Sequence, residues 1–282
     1  MQSRRLLLRW PMKTSVFAMV FTGVLYPNPV LLWRHIQHIR RVNELPNPAE
    51  PSFAGIELEF DQFLRNSQVD ANNKPALFQA VEKFVYQRIP YAWDWDTWDV
   101  ADYIPTLSEI VAKGREDCDG RAVVSAALLR QRGIDARLVA DVRHVWVRTP
   151  KGDLMQPMGP PVIQSGPNGI KVKWGQLLDP GPFAFGISVF PFAREVIILM
   201  TLWALLLPIG IPPMRAVFGL ILLWATLMLL RISGVNPRAP QDGLILLAGG
   251  FLIGAVCILV RTPANSLNIP AGLSVGASDA AG

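Results

Sequence analysis

Gly114-Arg115-Glu116-Asp117-Cys118-Asp119-Gly120-Arg121-Ala122 opens the stretch on which the fold turns, and it continues through Ala127-Leu128-Leu129-Arg130-Gln131-Arg132-Gly133-Ile134-Asp135-Ala136 to His144-Val145-Trp146-Val147. Ala122, Ala126 and Leu129 recur at helical spacing, and Gly133 supplies a stop, so a helix is expected from about 118 to 132. Alternating Val and Leu over 136–141 and 143–149 predict two strands, with Pro150-Lys151-Gly152 as a turn into a third at 153–156. Working upstream, Thr106-Leu107-Ser108-Glu109 is a capping-box pattern for a helix that ends at Lys113 and Gly114. Leu77, Phe78, Val81, Phe84 and Val85 mark an earlier amphipathic helix that ends by Pro90.

Helix-then-strand order places chemistry at two points. Cys118 opens its helix, where the positive end of the dipole favours a thiolate, whereas the flanking Asp117 and Asp119 disfavour one and call for an activating cation. His144, Trp146 and Arg148 fall on one face of a strand and Val145 and Val147 on the other, so the imidazole sits at a rim as a candidate base for the thiol. His35 and His38 fall in a basic segment that reads as a helix on a membrane surface. Trp93-Asp94-Trp95-Asp96-Thr97-Trp98-Asp99 lacks the glycine and distal glutamate of a calcium loop, and its rings read as a cap on the core or the wall of a cleft. Neither a metal nor a cofactor is expected.

Taken together, the segments 114–122, 127–139 and 144–147 resemble the transglutaminase-like superfamily of cysteine enzymes, as do Tyr91 and the lead-in Asp102 to Glu109, a resemblance covering about residues 75–157. It implies an α+β, papain-like domain in which Cys118 attacks an acyl carbonyl, His144 acts as base and then acid, and the Cys118 N–H helps hold the oxyanion. In that family an acidic residue before a proline usually completes the triad; here Gln156-Pro157 stands at that place, with Asp153 and Asp179 as alternatives. The activity implied is cleavage or transfer at an amide bond through a thioester, as peptidase, amidase or transamidase. The alternative is a catalytically silent module that binds a protein partner at the membrane.

The rest of the chain says where this domain lives. Of 282 residues, 51% are hydrophobic and 17% charged, with mean hydropathy +0.28, which excludes an ordinary water-soluble enzyme. The net charge of +5 is scattered or sits at the edges of apolar runs rather than forming a stripe, which gives nucleic-acid binding no support. Cys118 and Cys257 lie in unlike surroundings and are not expected to pair. Three uncharged runs predict transmembrane helices at about 196–214, 216–231 and 243–260, so the expected protein is multi-pass.

The expected organisation is a membrane-associated N-terminal segment (1–33), the catalytic domain (34–193), the helices (194–261) and a disordered tail (262–282). Residues 16–26 read as interfacial or re-entrant. If they do not span, ten cations share the side of the polar domain against two, which points to the cytoplasm, with an extracytoplasmic domain as the alternative; if they do span, the count is six against six. Expected partners are the bilayer and a protein or peptide amide near it, with Gly250 and Gly254 as a contact for helix packing or self-association.

Overall fold

Capping chemistry sets the helix boundaries in the computed structural model, which describes residues 2–140, 144–156, 163–166, 169–172, 179–236 and 241–260. Asn28 and Asn73 each accept a backbone N–H as N-caps, with prolines following in the first turn, and so open α2 (Pro29–Arg40) and α4 (Lys74–Arg88). The Thr106–Glu109 capping box opens α6 (Leu107–Lys113), which stops at Gly114 in the left-handed conformation, φ 69°. Asp117 caps α7 (Cys118–Gln131), and Gly133, φ 69°, follows its end. The remaining helices of the first half are α1 (Gln2–Leu25), α3 (Ala54–Asn66) and the single turn α5 (Asp94–Thr97).

The chain is mostly helical with a small sheet. Strands β1 (Arg137–Ala140), β2 (Val145–Thr149) and β3 (Gly152–Leu154) form an antiparallel meander in chain order, with Leu138 opposite Val147 and Val147 opposite Leu154. A separate hairpin pairs β4 (Ile163–Gly166) with β5 (Gly169–Val172). Helix α7 carries no amphipathic stripe: residues 119, 120 and 122–129 are all buried, because its small side chains are enclosed by the sheet on one side and by α4 and α6 on the other. Phe60, Val81, Val85, Val123, Ala127, Val147 and Leu154 make the centre of this core.

Expectation and structure differ at β2. Trp146, which the alternation places on the open face beside His144, is 2% exposed; its indole Nε1 donates to Asp153 at 3.0 Å, so a polar partner on β3 lets the ring be buried. His35 likewise is buried. Its Nδ1 accepts from the Ile104 N–H at 3.3 Å and His38 Nδ1 meets the Ile104 carbonyl at 2.6 Å, so both histidines dock α2 onto the 102–104 segment rather than onto lipid.

Four helices complete the described chain: α8 (Pro180–Val189), α9 (Phe192–Leu206), α10 (Pro213–Gly234) and α11 (Asp242–Val260). Helices α10 and α11 are long and apolar enough to cross a membrane. The run expected at 196–214 is divided, because Leu207 turns extended before Pro208 and a new helix begins at Pro213, which leaves α9 only 15 residues long. Helices α8 and α9 meet at 115°, and Trp10–Leu25 meets α2 at 83°, so among the described residues the candidate spans number two, or up to four if each bent pair counts as one.

Helix α1 runs antiparallel to α9. Lys13 Nζ donates to the Leu205 and Leu207 carbonyls, while Arg194 at the other end of α9 donates to the Val24 carbonyl at 3.5 Å. Lys13 therefore lies at the end of the bundle away from the polar unit. If α1 crosses with α9, the count is the six against six of the spanning case, which selects neither side. Gly254 faces Leu222 of α10 at van der Waals distance, an intramolecular use, whereas Gly250 meets nothing within 4 Å. Helices α10 and α11 pack tightly at Gly219, where a Cβ would clash with a Leu259 methyl. The expected disordered tail, Pro157 and the 174–178 part of the segment before Asp179 lie outside the described residues.

Candidate active site

Cys118 sits, half-buried, at the first turn of α7, and its surroundings oppose ionisation. The thiol donates to Asp119 Oδ1 at 3.3 Å, and the Val145 N–H donates to Sγ, which ties the helix start to the start of β2. Burial first, then the charges of Asp119 and Asp117, push the thiol well above its usual range, outweighing the helix terminus and the Val145 donor. Cys118 is therefore a neutral thiol at pH 7.

His144 immediately precedes β2. Its Nε2 lies 2.8 Å from the Met155 carbonyl, an acceptor only, so Nε2 carries the proton and Nδ1 is left as the basic nitrogen. Met155 holds that carbonyl from three directions. Its backbone is left-handed, φ 55°, its N–H donates to Glu82 Oε1 at 2.7 Å, and its sulfur accepts from Ser125 Oγ at 3.5 Å.

None of the three side chains expected to orient the imidazole does so. Gln156 is exposed and makes no hydrogen bond to a described residue. Asp153 is engaged by Trp146 and by the Arg148 guanidinium at 3.3 Å. Asp179 caps α8 through the Gly181 N–H at 3.0 Å. A main-chain carbonyl orients His144 instead, and sequence carries no mark of it, because any residue type supplies a carbonyl.

Behind the thiol lies a group of acids that sequence reading missed. Asp94, Glu116 and Asp117, all buried, each bring one carboxylate oxygen within 4.8 Å of the others. One oxygen of each is hydrogen-bonded: Asp94 Oδ2 to the Tyr103 N–H (2.7 Å), Glu116 Oε1 to Trp98 Nε1 (2.8 Å) and Asp117 Oδ1 to the Asp119 N–H (2.9 Å). Among the described residues Asp94 Oδ1 and Glu116 Oε2 have no hydrogen-bond partner. Burial, reinforced by mutual repulsion, raises Glu116 to about 8 and Asp94 to about 11; burial likewise raises Asp117 to about 7. The trio holds protons or, equally well by donor chemistry, a divalent cation.

Tyr86 and Tyr91 line the approach to the thiol, each close enough to feel its charge, with the Arg121 guanidinium over both rings at 5.0 and 5.1 Å and bonded to the Ile89 carbonyl at 2.8 Å. No protein-family model, no curated protein and no solved structure matches the chain.

Proposed function

We propose that the chain is a membrane-anchored, transglutaminase-like cysteine enzyme that cleaves or transfers amide bonds. The observation that supports this reading is the Val145 N–H bond to Cys118 Sγ, which brings the helix-start thiol to the residue next to His144, whose Nε2 is held by the Met155 carbonyl so that Nδ1 is the candidate base. Because the thiol rests neutral, His144 takes its proton as Sγ bonds to the acyl carbon. The C–N bond then breaks, the amine leaves with that proton, and water or a second amine releases the acyl group from sulfur.

The test is to incubate the full chain in detergent with a peptide library, with and without hydroxylamine, and to search by mass spectrometry for an acyl group on Cys118. New peptide termini indicate hydrolysis, and hydroxamates indicate transfer. His144→Ala is expected to slow turnover by about 10²–10⁴-fold, and Cys118→Ser to abolish the adduct. A folded wild-type chain that forms neither adduct nor product refutes the enzyme. One observation favours the silent module in that event: burial first, and then Asp119 and Asp117, raise the thiol, which a binding surface tolerates at no cost.

A further inference from the structure

The tryptophan-rich stretch that the catalytic reading leaves unused joins the candidate site to the membrane helices. On one side it meets the bend between α8 and α9: the Trp93 ring lies 6.2 Å from Phe185, and the Trp95 ring meets Phe190 edge-on at 5.6 Å. Four residues further on, Asp99 is ion-paired with Arg194 of α9. On the other side it meets the bend between α1 and α2, where the Ala101 N–H donates to the Leu25 carbonyl at 2.8 Å. Both turns of the helical bundle thus flank residues 93–101.

The platform beneath those rings is rigid. Arg231 of α10 donates to the carbonyls of Ile187, Ser188 and Phe190, each at 3.1 Å, and pairs with Glu195. Ser188 Oγ donates to the Gly234 carbonyl at 3.2 Å, and a Cβ at Gly234 would fall 2.0 Å from the Ala184 carbonyl oxygen, so only glycine lets α8 seat there. Half-exposed Trp93 and Trp95, Phe183 at 65% exposure, and Arg194 and Arg231 gather at this one end of the bundle, the composition of a bilayer–water boundary. From the same stretch Asp94 reaches the opposite way, into the acid group beside Cys118, and just before it Tyr91 lies close enough to Cys118 to interact with it electrostatically.

We propose that Cys118 works at the bilayer surface on a polypeptide that is itself membrane-anchored, attacking an amide close to where that chain leaves the lipid. This rests on the catalytic reading above. A chain emerging from the bilayer beside the Trp93–Asp99 stretch is concentrated near the thiol by its anchor, an advantage that a soluble protein lacks.

The test uses the full chain in phosphatidylcholine vesicles with Cys257→Ser, which leaves Cys118 as the sole thiol. The probe is a phosphatidylethanolamine carrying maleimide on a spacer of about 10 Å, the reach of three extended residues, compared with soluble N-ethylmaleimide at equal bulk concentration. The lipid-borne probe is expected to label Cys118 at least about tenfold faster, and Trp93→Ala with Trp95→Ala to lower that ratio. Labelling by N-ethylmaleimide with no advantage for the lipid probe would overturn the placement and favour a soluble substrate. The ratio reads proximity, so it is expected to be unchanged by His144→Ala; a catalytic failure with a high ratio overturns the enzyme and leaves the placement standing.

Discussion

Glu116 offers the clearest measurement of the buried acids, because it alone among the three partners an indole and is fully enclosed. Its carboxyl moves from an ordinary 4.5 to about 8 in the fold. The folded state then holds a proton that the unfolded chain has already lost, so stability is fully present below 4.5, falls as pH rises, and is exhausted by about 8. Each pH unit inside that window costs about 1.4 kcal/mol, and the whole interval roughly 5 kcal/mol on an order-of-magnitude scale. Glu116→Gln keeps an amide oxygen for Trp98 and places an NH₂ toward Asp94 and Asp117, so it removes this titration without leaving an orphaned donor. The assay is chemical denaturation in detergent, followed by tryptophan fluorescence between pH 5 and 9, with chelator present so that no cation replaces the protons. Wild type is expected to weaken steadily with pH and the variant to lose much of that slope. A wild-type stability that is flat or rises over this range, or a variant as pH-dependent as wild type, would refute the assignment of a buried neutral carboxyl.

Three further outcomes are expected. Glu82→Ala frees the Met155 N–H, so its carbonyl holds His144 less firmly; turnover should drop by about tenfold on the scale of one misplaced catalytic group, while soluble maleimide still labels Cys118. Asp119→Asn removes the acid that accepts the thiol proton, and the midpoint of Cys118 alkylation against pH should move down; an unchanged midpoint would mean that burial alone raises the thiol. Gly219→Val drives a side chain into Leu259 and should destabilise the α10–α11 pair by about 1–3 kcal/mol, read as a lower melting temperature in detergent, whereas Gly250→Val, in open space, should not.

What sequence reading could reach divides along physical lines. The capping box at Thr106, the stops at Gly114 and Gly133 and the start of α7 at Cys118 depend on residues three or four positions apart, and a one-dimensional reading finds such patterns. The acid trio does not, because Asp94 lies 22 residues before Glu116, and the Trp93–Asp99 stretch taken by itself shows neither a calcium loop nor a partner acid. His35 was misread for a related reason. Basic and apolar neighbours describe a lipid-facing helix equally well whether its histidines meet headgroups or, as they do here, the backbone of Ile104. Three uncharged runs suggested three membrane helices. A count of charges does not register that Pro208 and Pro212 divide the first run and leave α9 with 15 residues.

The neutral thiol and the carbonyl-held histidine belong to one design. An enzyme with a resting thiolate–imidazolium pair benefits from a carboxylate or amide that stabilises the charged imidazole in the ground state. A carbonyl from a backbone fixed by Glu82 and Ser125 contributes a smaller partial charge than a carboxylate but a firm direction for the imidazole. In the proposed enzyme, burial and then Asp119 and Asp117 would oppose premature ionisation, disfavouring a free thiolate until an acyl carbon is in place to take up the developing negative charge. On the proposed placement at the bilayer surface, that arrangement would also spare the thiol from the oxidants and electrophiles that thiolates attract.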